Sequence, residues 1–325
     1  QHFPRQQFSR KGAAGVEFDG ILFFPVTPFD AHGRVDTAVL DQHLETALAH
    51  GPGGVFPACG TGEYHALSAS EAALVTRTTV AAAAGRVPVV AGAGGPLGHA
   101  LEVARAAADA GADALLVLPP YLVAGPQPGL AAYVEAIAAA ADLPVVVYHR
   151  ANAAYTVDTV RRLVANPRVI GFKDGVGDIG TAQLIVRAVA EEGRDDFAFF
   201  NGLLTAELTQ AAYRGIGIPL YSSAAFAMAP DIANAYYRAY IGGDEDRRRA
   251  LLDAFYAPLV ALRDETPGFG VSLIKTGLRL GGLPVGGVRA PLVDPTPAQE
   301  RRLTEILDAG RALVEPDSAS VPEPA

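Results

Sequence analysis

The stretch ILFFPVTPFD, residues 21–30, decides the fold. Its apolar residues run straight into Pro25-Val26-Thr27-Pro28-Phe29. A doubly wound open sheet normally follows its first strand with a glycine-rich phosphate turn, and none stands here. Seven more short apolar runs begin near Gly54 (GVFPA), Val87 (VPVVAG), Ala114 (ALLVLP), Pro144 (PVVVY), Val169 (VIGFK), Phe197 (FAFFN) and Gly217 (GIPLY). Helical patterns separate them, among them 36–50, 69–84, 97–110, 129–141 and 178–192. Asp36 and Ser68 stand at N-cap positions, and Ser68 with Glu71 makes a capping box. Eight strands alternating with helices over roughly 220 residues predict an α/β protein of the (β/α)8 TIM-barrel type, since open sheets of this kind usually count about five or six strands.

Beyond residue 240 the pattern is helical only, with segments 244–262, 270–281 and 297–314. The expected organisation is an N-terminal arm at 1–18, a catalytic barrel at 19–242 and a C-terminal helical extension packed on the barrel at 243–314. Residues 315–325 (EPDSASVPEPA) read as a disordered Pro/Ser/Ala-rich tail.

Composition narrows the function. The 325 residues are 50% hydrophobic and 19% charged, ample for a large core. A net charge of −9 argues against a nucleic-acid partner. An acidic metabolite must then be held by a few local donors. The single cysteine, Cys59, excludes a disulfide framework and a multi-cysteine zinc site. The seven histidines include no His-x-x-x-His or His-x-His pair, so no metal is expected. Residues 114–134 carry no charge, but Pro119, Pro120, Pro126 and Pro128 interrupt them, which is not a membrane span. Glu17 and Asp19 fall where a signal peptide needs apolar residues. The expectation is a cytoplasmic protein without a membrane partner.

In a barrel the reactive groups collect where strands end. Only three residues are lysine (Lys11, Lys173 and Lys275), yet Lys173 ends the run Val169-Ile170-Gly171-Phe172. Strand alternation places Lys173, Gly171 and Val169 on one face. A lysine in the barrel mouth is desolvated, which favours the neutral amine that attacks carbonyls. The alternative is a rim lysine paired with Asp174. Tyr148 ends the preceding strand, about 4.8 Å away, and can relay protons to such an amine; alternatively it only caps the core. The turn Gly60-Thr61-Gly62-Glu63 offers backbone N–H groups and a hydroxyl to a carboxylate, with Glu63 a structural hydrogen-bonder and Cys59 a small buried residue. Small polar loops follow the last two strands at Asn201-Gly202 and Tyr221-Ser222-Ser223.

Together these residues resemble the dihydrodipicolinate synthase and N-acetylneuraminate lyase superfamily of Schiff-base-forming barrels, over roughly residues 20–310. The resemblance rests on the Gly-Thr-Gly-Glu turn at 60–63, Tyr148 and Lys173, in order and at family spacing. It implies that Lys173 is the imine lysine, Tyr148 its proton-relay partner, and Gly60 and Thr61 the binders of a 2-oxo acid carboxylate. It also implies a homotetramer with neither metal nor organic cofactor. Two hydroxyls of the synthase and lyase branches are replaced here by Gly60 and Leu122. FPVTPFD (24–30), YHRAN (148–152), GFKDGVGD (171–178) and YSSA (221–224) resemble instead the 5-dehydro-4-deoxyglucarate dehydratase branch, with His149 standing where that branch has asparagine. The implied reaction is dehydration and decarboxylation of a 2-oxo dicarboxylate. Arg150 and Asn152 are the candidates for the distal carboxylate, with Ser222 a further binder; Arg150 alternatively pairs with Asp174 at the rim. An aldolase releasing pyruvate and a non-catalytic sugar-acid-binding barrel are the competing readings.

Overall fold

The computed structural model describes residues 10–11 and 15–314. The proposed tail at 315–325 and most of the arm at 1–18 lie outside the described residues. Strands β1 (Arg10–Lys11) and β2 (Glu17–Phe18) form a short antiparallel pair. The barrel strands are β3 (Leu22–Phe23), β4 (Gly54–Val55), β5 (Val90–Gly95), β6 (Ala114–Pro120), β7 (Val145–His149), β8 (Val169–Asp174), β9 (Ala198–Asn201) and β10 (Leu220–Ser223). They make one eight-stranded sheet in the order β4-β3-β10-β9-β8-β7-β6-β5. A parallel bridge between Val55 and Val89 joins its two ends, so the sheet closes into a barrel. All eight runs read from the sequence supply a strand. The first is shorter than its apolar run, because Pro25 has no N–H to give to a ladder.

Between and after the strands lie α1 (Thr37–Leu48), α2 (Ala69–Ala83), α3 (Leu97–Asp109), α4 (Gln127–Ala141), α5 (Val157–Val164), α6 (Ile179–Glu191), α7 (Gln210–Gly215) and α8 (Pro230–Gly242). Asp36 caps α1 through the Val39 N–H, and Ser68 with Glu71 closes the capping box of α2. The uncharged run at 114–134 is β6 followed by a loop and the start of α4. No described helix is long and apolar enough to cross a membrane.

The two ends of the barrel are covered by different parts of the chain. Below, the Phe18 ring stands edge-on to Phe200, at 5.1 Å between centroids, and plugs the N-terminal end. Above, the chain continues through α9 (Glu245–Leu251), a π-helical turn at Leu252–Tyr256, α10 (Ala257–Arg263), α11 (Phe269–Leu280) and α12 (Pro297–Arg311). The connection from α10 to α11 passes over the barrel mouth and supplies one wall of the cavity there.

Candidate active site

A cavity of about 700 Å³ opens at the C-terminal ends of the strands. Lys173, Tyr148, Arg150, Gly60, Thr61 and Ser222 all line it. Residues from positions 60 to 222 are thus brought to one space, as the strand-end logic requires.

Lys173 is 6% exposed, and its Nζ lies 4.2 Å from the ring centres of both Phe24 and Tyr148. Asp174 does not pair with it: that carboxylate accepts the Tyr213 hydroxyl and the Val176 N–H. Among the described residues no carboxylate stands within ion-pair distance of Lys173. Burial holds the amine below the ordinary lysine value and the Arg150 guanidinium adds to this, against the opposite pull of Tyr148 and Cys59. Its nitrogen stands over the faces of both rings.

Tyr148 is the register partner of Lys173 across β7 and β8. Its hydroxyl donates to the Gly202 carbonyl at 3.1 Å and accepts from Arg150 Nη1 at 2.8 Å. Burial pushes the phenol up, but the Lys173 and Arg150 cations outweigh it, and the net direction is below the ordinary tyrosine value. Gly202 also makes room for the lysine: a Cβ there would stand 2.6 Å from Lys173 Cγ and Cε. Gly175 does the same for the phenol ring, 2.7 Å from where its own Cβ would lie.

The Gly-Thr-Gly-Glu turn is held from two sides. Thr27, from the opening stretch, donates its hydroxyl to the Gly62 carbonyl at 2.7 Å. Glu63, in a left-handed conformation at φ +57°, is fully buried, pairs with Lys275 at 2.6 Å and accepts the Arg289 N–H at 2.8 Å. Lys275 itself also donates to the Gly287 carbonyl. The second buried lysine of the chain is therefore tied into a structural ion pair, while the first is not. Cys59 lies buried beneath the turn, and burial pushes its thiol up to about 12.

One sequence expectation changes position. Asn152 does not line the cavity: its amide donates to the carbonyls of Pro120 and Val123 and braces the loop after β6. His149 points away from Tyr148, packs on Phe172 and accepts the Tyr155 N–H through Nδ1. Alternation along β7 forces this, since neighbouring side chains take opposite faces. Leu122, at φ +65°, is 83% exposed and contributes nothing to the cavity wall. Conversely, Phe24, Tyr64 and Arg263 line the cavity and were not singled out from sequence. Phe24 belongs to the opening apolar run, where it reads only as core. Arg263 ends an ordinary amphipathic helix, and no local pattern marks it. Among the described residues no group of three or more His, Cys, Asp or Glu side chains is placed to hold a metal ion.

Fold and site together define a class: a (β/α)8-barrel enzyme with a buried amine and a phenol side by side at the strand ends. The chain belongs to the Dihydrodipicolinate synthetase family, whose model matches residues 17–310. It is 52% identical over 302 residues to "Probable 5-dehydro-4-deoxyglucarate dehydratase" of Streptomyces griseus subsp. griseus, covering 93% of this chain and 94% of that protein. It is 50% identical over 294 residues to "Probable 5-dehydro-4-deoxyglucarate dehydratase 2" of Streptomyces coelicolor, covering 90% of each. The crystal structure of dihydrodipicolinate synthase from Oceanobacillus iheyensis superposes with a TM-score of 0.83 at 26% identity, over 91% of this chain and 97% of that one.

Proposed function

We propose that the protein is a decarboxylating hydro-lyase that converts 5-dehydro-4-deoxyglucarate to 2,5-dioxopentanoate, CO2 and water. The observation that carries this is the buried Lys173 amine, free of any carboxylate partner among the described residues and set against Tyr148 in a cavity lined by further cations. The names of the relatives at 50–52% identity supply the substrate.

In this reading the neutral Lys173 amine attacks the 2-oxo carbon, and Tyr148 hands the proton to the departing carbonyl oxygen, which leaves as water. The imine acidifies the neighbouring C–H. Loss of that proton gives an enamine, whose electron pair expels the β-hydroxyl as a second water. The far C–C bond of the resulting conjugated iminium then breaks. Its electron pair flows through the new double bond to the imine nitrogen, and CO2 departs. Reprotonation and hydrolysis, which consumes one water, return the free amine and the aldehyde product. The lysine is the electron sink. Gly60 and Thr61 hold the carboxylate next to the oxo group, and Ser222 a hydroxyl of the chain. Arg150 fixes the Tyr148 oxygen.

The same proposal includes a homotetramer acting in the cytoplasm without an organic cofactor or a metal. Light scattering tests the assembly, and full activity after exhaustive chelation and dialysis tests the rest. The reaction itself is tested by product analysis on 5-dehydro-4-deoxyglucarate. One equivalent of CO2 and of 2,5-dioxopentanoate is the expected result; stoichiometric pyruvate makes the protein an aldolase instead.

A further inference from the structure

A substrate with two carboxylates needs two anion sites, and the lysine end of the cavity supplies one. Three lysine or arginine side chains line the cavity: Lys173, Arg150 and Arg263. Lys173 is spent on the imine in the reading above, and Arg150 donates to the Tyr148 oxygen. His65, also on the wall, is an exposed side chain. Arg263 is different. Its side chain is only 15% exposed, Nη1 donates to the Thr205 hydroxyl at 2.8 Å, and Nε donates to Asp264 at 2.8 Å. Among the described residues Nη2 has no partner. The guanidinium is therefore oriented from two sides, with Nη2 left to donate a charge-assisted hydrogen bond to a carboxylate.

The residue that orients it is itself unusual. Thr205 is β-branched yet sits in the left-handed region at φ +52°. Such strain persists only where the surroundings impose it, and it concentrates at functional sites. Thr205 also lines the cavity, beside Leu204.

We infer that Arg263, at the end of α10, receives the distal carboxylate of the substrate, the part that sequence reading gave to Arg150 and Asn152. This inference rests on the dicarboxylate reading proposed above. It has a kinetic signature. The distal carboxylate loses its charge as CO2 forms, so a guanidinium bonded to it stabilises bound substrate more than the transition state. Loss of Arg263 then raises KM, and kcat does not fall with it.

The test compares two 2-oxo acids of equal length, 2-oxoadipate and 2-oxohexanoate, which differ only in the distal carboxylate. Each is titrated against the enzyme with borohydride, and the adduct on Lys173 is measured by mass. Wild type is expected to trap 2-oxoadipate at the lower concentration. Arg263→Gln should raise that concentration about 10- to 100-fold, the loss of one charge-assisted hydrogen-bonded contact, while trapping of 2-oxohexanoate stays at wild-type level. Arg263→Lys, which keeps the charge without the fixed guanidinium plane, should recover part of the preference, and Thr205→Val should lose part of it. Persistence of the full preference in Arg263→Gln overturns the inference, as does an equal loss on both acids. Because trapping requires no turnover, its outcome stands apart from the wild-type CO2 assay. An enzyme that prefers 2-oxoadipate through Arg263 but releases no CO2 from 5-dehydro-4-deoxyglucarate sinks the reaction and keeps the subsite.

Discussion

Lys173 and Tyr148 face each other across adjacent parallel strands, in register, with the amine nitrogen 4.2 Å from the centre of the phenol ring. Each shifts the other's proton affinity: the ammonium lowers the phenol, and the phenolate would raise the amine. Two groups tied in this way titrate as a pair. The pair is also mechanically fixed, by the Gly202 carbonyl and the Arg150 guanidinium at the phenol oxygen.

Imine formation should be confined to Lys173. After incubation with pyruvate and borohydride, one substrate-derived mass is expected per chain, on the peptide that contains Lys173. Lys275 should remain unlabelled, because its Nζ is fully buried and engaged by the Glu63 carboxylate and the Gly287 carbonyl. Lys173→Arg should form no adduct, since a guanidinium stays protonated. Label on Lys275 would reverse the assignment.

Removing the phenol hydroxyl should slow the chemistry without unfolding the barrel. Tyr148→Phe is expected to lower kcat by about 10²–10⁴, with an unchanged circular dichroism spectrum. Arg150→Met removes an influence that lowers both Tyr148 and Lys173. Both groups should therefore titrate at higher pH, and the kcat profile should move in that direction. A profile that stays in place would detach Arg150 from the pair.

Gly202 is the point where backbone clearance governs the lysine. Gly202→Ala puts a methyl 2.6 Å from the Lys173 chain, so the amine must shift. The trapping rate should fall at least tenfold, since misplacement of a reacting group by about 1 Å costs on the order of 10²-fold. Trapping at the wild-type rate would mean that the lysine finds its position by another rotamer.

A pH dependence of stability should arise away from the reacting groups. Glu207 is buried behind Ser223, whose hydroxyl donates to it, and burial pushes its carboxyl up from 4.5 to about 7. The folded state thus holds a proton that the unfolded chain releases between those values. The stability from this group is complete below about 4.5 and is lost as pH rises through about 7. Glu207→Gln keeps a neutral group at the site. The fall of Tm between pH 5 and pH 7 is expected to be smaller in the variant than in wild type. Parallel Tm curves for the two proteins would mean that Glu207 stays ionised in the fold.

The sequence by itself determined the barrel and the two side chains proposed to react at its strand ends. Eight short apolar runs alternating with helical segments leave little architectural choice. A lysine and a tyrosine at the ends of consecutive strands must then meet, since neighbouring parallel strands bring their ends together. Only the tertiary structure decided which other residues join them. Phe24, Gly202 and Arg263 reach Lys173's cavity from positions far apart in the chain. Glu63 finds Lys275 across the join between barrel and helical extension. Asn152, two residues past Arg150, turns instead to the carbonyls of Pro120 and Val123. Periodicity is a local property and reports which face of a strand a residue takes. Which loop crosses the barrel mouth, and which polar atoms its turns satisfy, depends on how helices pack over the strand ends, and that contact energy is written in no single stretch of sequence.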